Sequence, residues 1–294
     1  MQTVPPAMPC MDDLPEFRAH SIPVQGALAP YVSALVATQL TGGGPMPLAV
    51  APHDALMLSV QLGLSGHSIE EKGSHGENTR LTGIREWTGA FSGAGNCVSL
   101  FALLTPLGSV SLLESQALDT MPRIRARVAD LLDARLTRHL ESDIALADTL
   151  EAKLGAFAAW LETRALTHRR LTPAALRAGR AAMRLCDQPN LPIETLAGEQ
   201  HVSRRQLERD FGQWIGTSPR HLSQVARVQA VTRGVQAGAA LADVAADVGF
   251  ADQAHMSRVV KQLTGLTPRH FAGRRPCPIA DTFRRATQGG TVYL

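Results

Sequence analysis

Residues 196–222, LAGEQHVSRRQLERDFGQWIGTSPRHL, and residues 244–271, VAADVGFADQAHMSRVVKQLTGLTPRHF, carry one pattern twice. Gly216, Pro219, Arg220 and His221 recur as Gly265, Pro268, Arg269 and His270, and Arg209 recurs as Arg258, all at an offset of 49 residues. Each copy reads as a short helix, a turn, a second helix and an abrupt stop. In the first, Ile193, Leu196 and Ala197 make an inner face and Val202 begins the turn. Ser203 then stands where a helix N-cap belongs, its hydroxyl able to accept from an otherwise unpaired backbone N–H. Leu207, Phe211 and Trp214 or Ile215 follow at helical spacing and form one buried stripe, leaving Arg204, Arg205, Glu208 and Arg209 outward. In the second, Val244, Ala245 and Val248 face inward, Gly249 turns the chain, Phe250 plugs the turn and Asp252 takes the N-cap place. Met256, Val259 or Val260, and Leu263 make the stripe, so Gln253, Ala254, His255 and Arg258 point outward. Gly216 and Gly265 suit the left-handed residue that ends a helix, and Pro219 and Pro268 suit the first turn of the next.

Two helix-turn-helix units in tandem in a basic stretch point to DNA. From about residue 175 to 273 the chain resembles the AraC/XylS family of bacterial transcription regulators, most specifically over GFADQAHMSRVVKQLTGLTPRHF. The family usually has Phe where Met256 and Val260 stand and often an aromatic where Leu263 stands. These are packing positions, so the differences touch the core and not the outward face. The resemblance implies that a long helix over about Arg220–Val235 joins the units, and that the second helix of each enters one of two successive major-groove segments, about 34 Å apart. It further implies Arg205, Glu208, Arg209, Gln253, His255 and Arg258 as base-edge contacts, and Ser203, Arg204, Arg220, Lys261 and Arg269 as backbone-positioning groups. Arginine suits guanine and Gln suits adenine. Glu208 either accepts from cytosine N4–H or holds Arg204 or Arg205 in place, and Ala254 offers only a methyl contact. Arg220 and Arg269 equally suit caps on their preceding helices.

Charge agrees with this independently. From Arg164 onward there are 19 Lys plus Arg against 9 Asp plus Glu; before it, 10 against 17. The formal net charge of +3 thus hides two halves of opposite sign. A basic C-terminal half attracts phosphate through counterion release. Its cations are arginine except for Lys261, a bias that also suits a GC-rich genome.

At 294 residues the chain has room for two cores. The four cysteines, Cys10, Cys97, Cys186 and Cys277, form no CxxC pair, which argues for a reducing, cytoplasmic setting without a disulfide frame or zinc knuckle. The beginning, MQTVPPAMPCMDDLPEF, lacks a basic start and an apolar run of signal-peptide type. Ala19–His53 holds no Asp, Glu, Lys or Arg, but Pro and Gly interrupt it too often for a membrane helix.

Between Pro47 and Leu113 the apolar runs LAV, ALMLSVQLG, RLTGI, CVSLFALL and SVSLL, divided by Gly, Pro, Asn and Ser, predict a β-rich domain. After Met121 the period becomes helical: Ile124, Val128, Leu131, Leu132 and Leu136 share one face, and Ile144, Leu150, Leu154, Phe157 and Leu161 continue a second run. Such helices pack on the β-domain or on a second copy of themselves. LTHRRLTP, 166–173, reads as a linker, with Thr172-Pro173 restarting a helix to Cys186. The expected class is α+β: an N-terminal β-rich, cupin-like sensor or dimerisation domain (1–120), amphipathic helices and linker (121–170), an all-α tandem helix-turn-helix domain (171–275) and a tail (276–294). The tail, RRPCPIADTFRRATQGGTVYL after Gly273, covers the second unit, lies on phosphate or is disordered.

Other chemistry finds weaker support. His53, Asp54, His67, His75 and Glu77 offer metal-ligand types, but His67 and His75 fall in a polar, Gly-rich loop and His53 in an ordinary strand-entry turn. SGAGNC, 92–97, lacks the following helix and Lys of a phosphate loop and reads as a hairpin turn. Trp87, Phe91 and Phe101 line either an effector pocket or a core, and Cys97 reads as a buried small hydrophobe. The rivals are a metal-dependent cupin-type enzyme fused to a DNA-binding domain and an alkyl-transfer DNA-repair protein. The second needs a reactive Cys in a Pro-Cys-His-Arg-like setting, which neither Cys10 nor Cys277 has. The reading is therefore a non-enzymatic regulator of transcription without a cofactor, binding double-stranded DNA. A homodimer, a small-molecule effector and contact with RNA polymerase are what the resemblance implies.

Overall fold

The computed structural model describes residues 16–42, 46–50, 56–63, 67–68, 79–82, 89–93, 96–112, 125–127, 134–167, 171–272 and 278–286. Its N-terminal half is built on β2 (Val32–Thr41), whose neighbours are β1 (Glu16–Ile22) and β8 (Cys97–Leu104). With β4 (Leu56–Gly63), β6 (Thr79–Thr82) and β9 (Arg125–Arg127) they form a six-stranded antiparallel sheet in the order β1-β2-β8-β4-β6-β9. A second antiparallel sheet joins β3 (Met46–Val50), β7 (Gly89–Gly93) and β5 (His67–Ser68) in the order β3-β7-β5.

Side chains two apart on a strand share a face, and here both faces of the central strands are covered. Leu35 and Ala37 of β2, Leu58 and Val60 of β4, and Leu100, Ala102 and Leu104 of β8 lie in one cluster with Leu140, Ile144, Leu154, Phe157 and Leu161. These last come from α2 (Ala134–Leu146) and α3 (Leu150–Thr167), so the two helices pack on the sheet of their own chain. Thr149 accepts from Ala152 N–H at 3.1 Å at the start of α3, and Lys153 donates to the carbonyls of Ile144 at 2.8 Å and Ala147 at 2.5 Å, at the end of α2 and just beyond it. The opposite face gathers Ala34, Val36, Met57 and Leu103 around Phe283.

Phe283 belongs to α11 (Pro278–Ala286), which follows the second helix-turn-helix unit in sequence yet packs against β1 and β2. This part of the tail therefore neither covers the second unit nor is left disordered. Phe101 meets Phe283 edge to face, centroids 5.1 Å apart, as a packing residue.

Four further expectations change. SVSLL is no strand: Pro106–Leu112 is a helix, α1, started by Thr105, whose hydroxyl accepts from Gly108 N–H at 2.9 Å. Residues 125–127 pair with β6 as β9 and are not helical. β7 and β8 lie in different sheets, so SGAGNC is a connection between sheets and no hairpin turn. His67 lies in β5, opposite Ser92, and not in a loop. His53, Asp54, His75, Glu77, Trp87, Ile124, Val128, Leu131, Leu132, Cys10 and Cys277 lie outside the described residues. Among the described residues no three His, Cys, Asp or Glu side chains form a metal-holding group, and no helix is long and apolar enough to cross a membrane. Cys97 and Cys186 are not in disulfides and both are partly buried; burial raises the pKa of Cys97.

The C-terminal half is helical: α4 (Pro173–Asp187), α5 (Ile193–Glu199), α6 (Arg204–Ile215), α7 (Pro219–Gln236), α8 (Leu241–Asp247), α9 (Gln253–Thr264) and α10 (Arg269–Ala272). Thr172 caps α4, accepting from Ala175 N–H at 3.2 Å with Pro173 in the first turn, as expected of Thr172-Pro173.

Candidate nucleic-acid interface

The two units follow from local rules that the structure obeys twice. Ser203 accepts from Gln206 N–H at 3.2 Å at the start of α6, and Asp252 accepts from His255 N–H at 2.6 Å at the start of α9. α6 and α9 are each 12 residues long, and each ends on a left-handed glycine, Gly216 at φ 74° and Gly265 at φ 73°. The buried stripes are Leu207, Phe211, Trp214 and Ile215 on α6, and Met256 and Val260 on α9, with Val259 and Leu263 partly buried beside them. Leu196 and Ala197, and in the second unit Val244 and Ala245, are buried against them. The units differ at the turn. His201 takes the left-handed place in the first at φ 54°, and Gly249 in the second at φ 75°.

With the stripes inward, Arg205, Glu208 and Arg209 fall on the exposed side of α6 at spacings of three and four, which share a helix face. Gln253, Ala254, Arg258 and Lys261 are exposed on α9, as are Ser203, Arg204, Arg220 and Arg269 at the helix starts. His255 is only partly exposed, its ring edge-on to Phe250 with centroids 5.4 Å apart. Among the described residues no hydrogen bond joins Arg220 or Arg269 to the preceding helix.

Two candidate arginines are held by neighbouring side chains. Arg204 donates from Nε to Glu208 at 2.8 Å and from Nη1 to Glu194 of α5 at 2.6 Å. These partners, Glu208 first, raise the pKa of Arg204, while the backbone N–H of Glu194 and then Arg204 lower that of Glu194. Glu208 thus engages Arg204, one of the two roles its sequence position suggested. Arg209 donates from Nη2 to Gln206 Oε1 at 2.5 Å.

The units are also fastened to each other. Ser223 of α7 donates to Pro189 O at 2.6 Å, in the loop before α5. Arg227 of α7 donates to Gly249 O at 2.8 Å, and its guanidinium lies 3.7 Å from the centre of the Phe250 ring; burial lowers its pKa. A Cβ at Gly249 would stand 2.5 Å from Asn190 Nδ2, so the second turn sits directly on the loop that opens the first unit. α7 is therefore a braced connector, matching the long helix expected over 220–235.

Sequence reading missed Arg177, Asn190, Glu194, Gln206, Asp210 and Arg227. A signal existed for Asp210: it is a carboxylate beside Phe211 and one turn from Gln206.

Residues 196–274 match a family model described as Helix-turn-helix domain. No curated protein matches the chain. Among solved structures the chain is similar to the C-terminal domain of AraT, a response regulator from Geobacillus stearothermophilus, at 25% identity, covering 37% of this chain and 93% of that one with a TM-score of 0.33. It is similar to ToxT from Vibrio cholerae O395 at 13% identity, 87% and 96% coverage and a TM-score of 0.42. The AraC-like transcriptional activator CuxR matches at 14% identity, 79% and 91% coverage and a TM-score of 0.26.

Proposed function

We propose that this chain, whose residues 196–274 match a helix-turn-helix domain, is a sequence-specific DNA-binding regulator of transcription of the AraC type. The observation that carries the proposal is the repetition itself: two capped helices of equal length, each presenting an exposed arginine, Arg209 and Arg258, at the same place. Docking begins with the basic C-terminal half, where released counterions supply affinity for any sequence. α6 then reads one major-groove segment through Arg205, Glu208 and Arg209, and α9 reads the next through Gln253, His255 and Arg258. Ser203, Arg204, Arg220, Lys261 and Arg269 meet the phosphates and fix the register.

The N-terminal half modulates this reader. Val110 of α1 is buried in the same cluster as Ala175, Ala178 and Ala182 of α4 and Phe211 of α6, so a change in the sheet bears on the first unit directly. Binding of a small molecule, dimerisation through this half and contact with RNA polymerase in the cytoplasm complete the proposed mechanism, in which the chain binds and does not catalyse.

Duplexes selected from a random pool with the full chain provide the test. Arg209→Ala and Arg258→Ala each lower affinity for the selected duplex by about 1–3 kcal/mol and relax preference at one base pair. Equal losses on selected and random duplexes would contradict base reading by either arginine.

A further inference from the structure

The exposed face of α6 is braced from within. Asp210 is 2% exposed, next to Phe211 in the core of the first unit. Both of its oxygens are occupied. Oδ2 accepts from Arg177 of α4, at 2.7 Å from Nε and 2.6 Å from Nη2, and Oδ1 accepts from Gln206 Nε2 at 2.7 Å. An ionised carboxylate only accepts, so Gln206 must turn its NH2 toward Asp210 and its carbonyl oxygen away. That oxygen receives Arg209 Nη2 at 2.5 Å. Arg177, Asp210, Gln206 and Arg209 form one line from the domain's interior to its surface.

A guanidinium has five N–H donors, and one given to Gln206 leaves enough for a bidentate contact with guanine O6 and N7. A free arginine must lose rotamer freedom to make that contact, and a held one has lost part of it beforehand. The second unit has no counterpart. At the same offset His255 stands for Gln206 and Val259 for Asp210, and among the described residues no side chain braces Arg258.

We propose that Asp210 is a positioning residue that, through Gln206, holds Arg209 in the geometry that reads a guanine. The proposal rests on Arg209 being a base reader. Asp210→Asn is the discriminating variant because it is isosteric. Its Nδ2 can donate to Gln206 while its Oδ1 still accepts from Arg177, so the Gln206 amide turns over and sets its own NH2 against Arg209.

Full-length D210N, Q206A, R209A, R258A and D210N/R209A are compared on the selected duplex, on its single base-pair variants and on a random duplex, with thermal unfolding of each. D210N and Q206A are expected to lose about tenfold of the preference at the base pair where R209A loses it. Affinity for random duplex and preference at the base pair assigned by R258A stay unchanged, and D210N adds nothing on the R209A background. A uniform loss on all duplexes, or a further loss of preference on the R209A background, makes Asp210 merely structural and overturns the proposal. Preference left intact by R209A itself overturns base reading by Arg209, and the positioning role with it. Q206A leaves the Asp210–Arg177 pair in place and decides the matter should D210N unfold.

Discussion

Arg177 is one fifth exposed and Asp210 almost wholly buried, and the two meet at 2.6 Å. A charge taken out of water costs several kcal/mol unless donors replace the lost hydration, and Arg177 supplies two of the three that Asp210 has in this structure. Arg177→Ala would leave Asp210 with Gln206 alone. The expected loss is about 3 kcal/mol of stability, read as a lower urea midpoint with an unchanged slope. Arg204 provides the contrast. Its pair with Glu194 is exposed on both sides, 54% and 65%, where solvent screens the attraction and little stability is at stake. The pairing of Asp210 with Arg177 was invisible to sequence reading because the two stand 33 residues apart on different helices, and nothing in the local pattern joins them. The outward arginines were legible because their placement needs only the helix period.

At the level of elements, the same local rules explain both what was readable and what was not. α6 and α9 announce themselves by an N-cap, an apolar stripe and a left-handed glycine, each a property of a few neighbouring residues. Replacing Ser203 or Asp252 by Ala removes the side-chain acceptor from the first turn and is expected to cost about 1 kcal/mol each. Urea unfolding measures it, and an unchanged midpoint in both would mean that backbone N–H groups at these starts are satisfied otherwise. β2 lacked such a signature: Ala34, Leu35, Val36 and Ala37 are all buried, so YVSALVATQL shows an apolar run and not the alternation of a half-exposed strand. SVSLL misled in the opposite direction. Ser109, Val110, Ser111 and Leu112 are all buried, because α1 is wedged between the sheet and α4. A Cβ at Gly179 would stand 3.2 Å from Val110, so that contact is tight and depends on residues some 70 apart. Alternation in so short a run cannot reveal a partner so distant.

Among the described residues, two ties join the halves of the molecule. α1 leaves the sheet and enters the core of the first unit; α11 leaves the second unit and returns to the sheet. The sequence boundaries drawn at 120 and 275 separate what packing joins, since Val110 lies within the C-terminal core and Phe283 within an N-terminal one. Phe283 is 2% exposed and is the only aromatic that α11 brings to the cluster of Ala34, Val36, Met57 and Leu103. Small side chains such as Ala34 cannot close over the space a benzyl group would vacate, so relaxation after truncation is limited. Phe283→Ala is therefore expected to cost about 3 kcal/mol, within the range for buried Phe-to-Ala changes. The loss should be local in a specific sense: amide exchange quickens along β2 and β8 while α6 keeps its protection, because the first unit is held by α1 and not by α11. A stability change below about 0.5 kcal/mol would place α11 on the surface as a loose appendage. Faster exchange in α6 would instead mean that the tail bears on the DNA-reading unit itself, and that the two ties act as one.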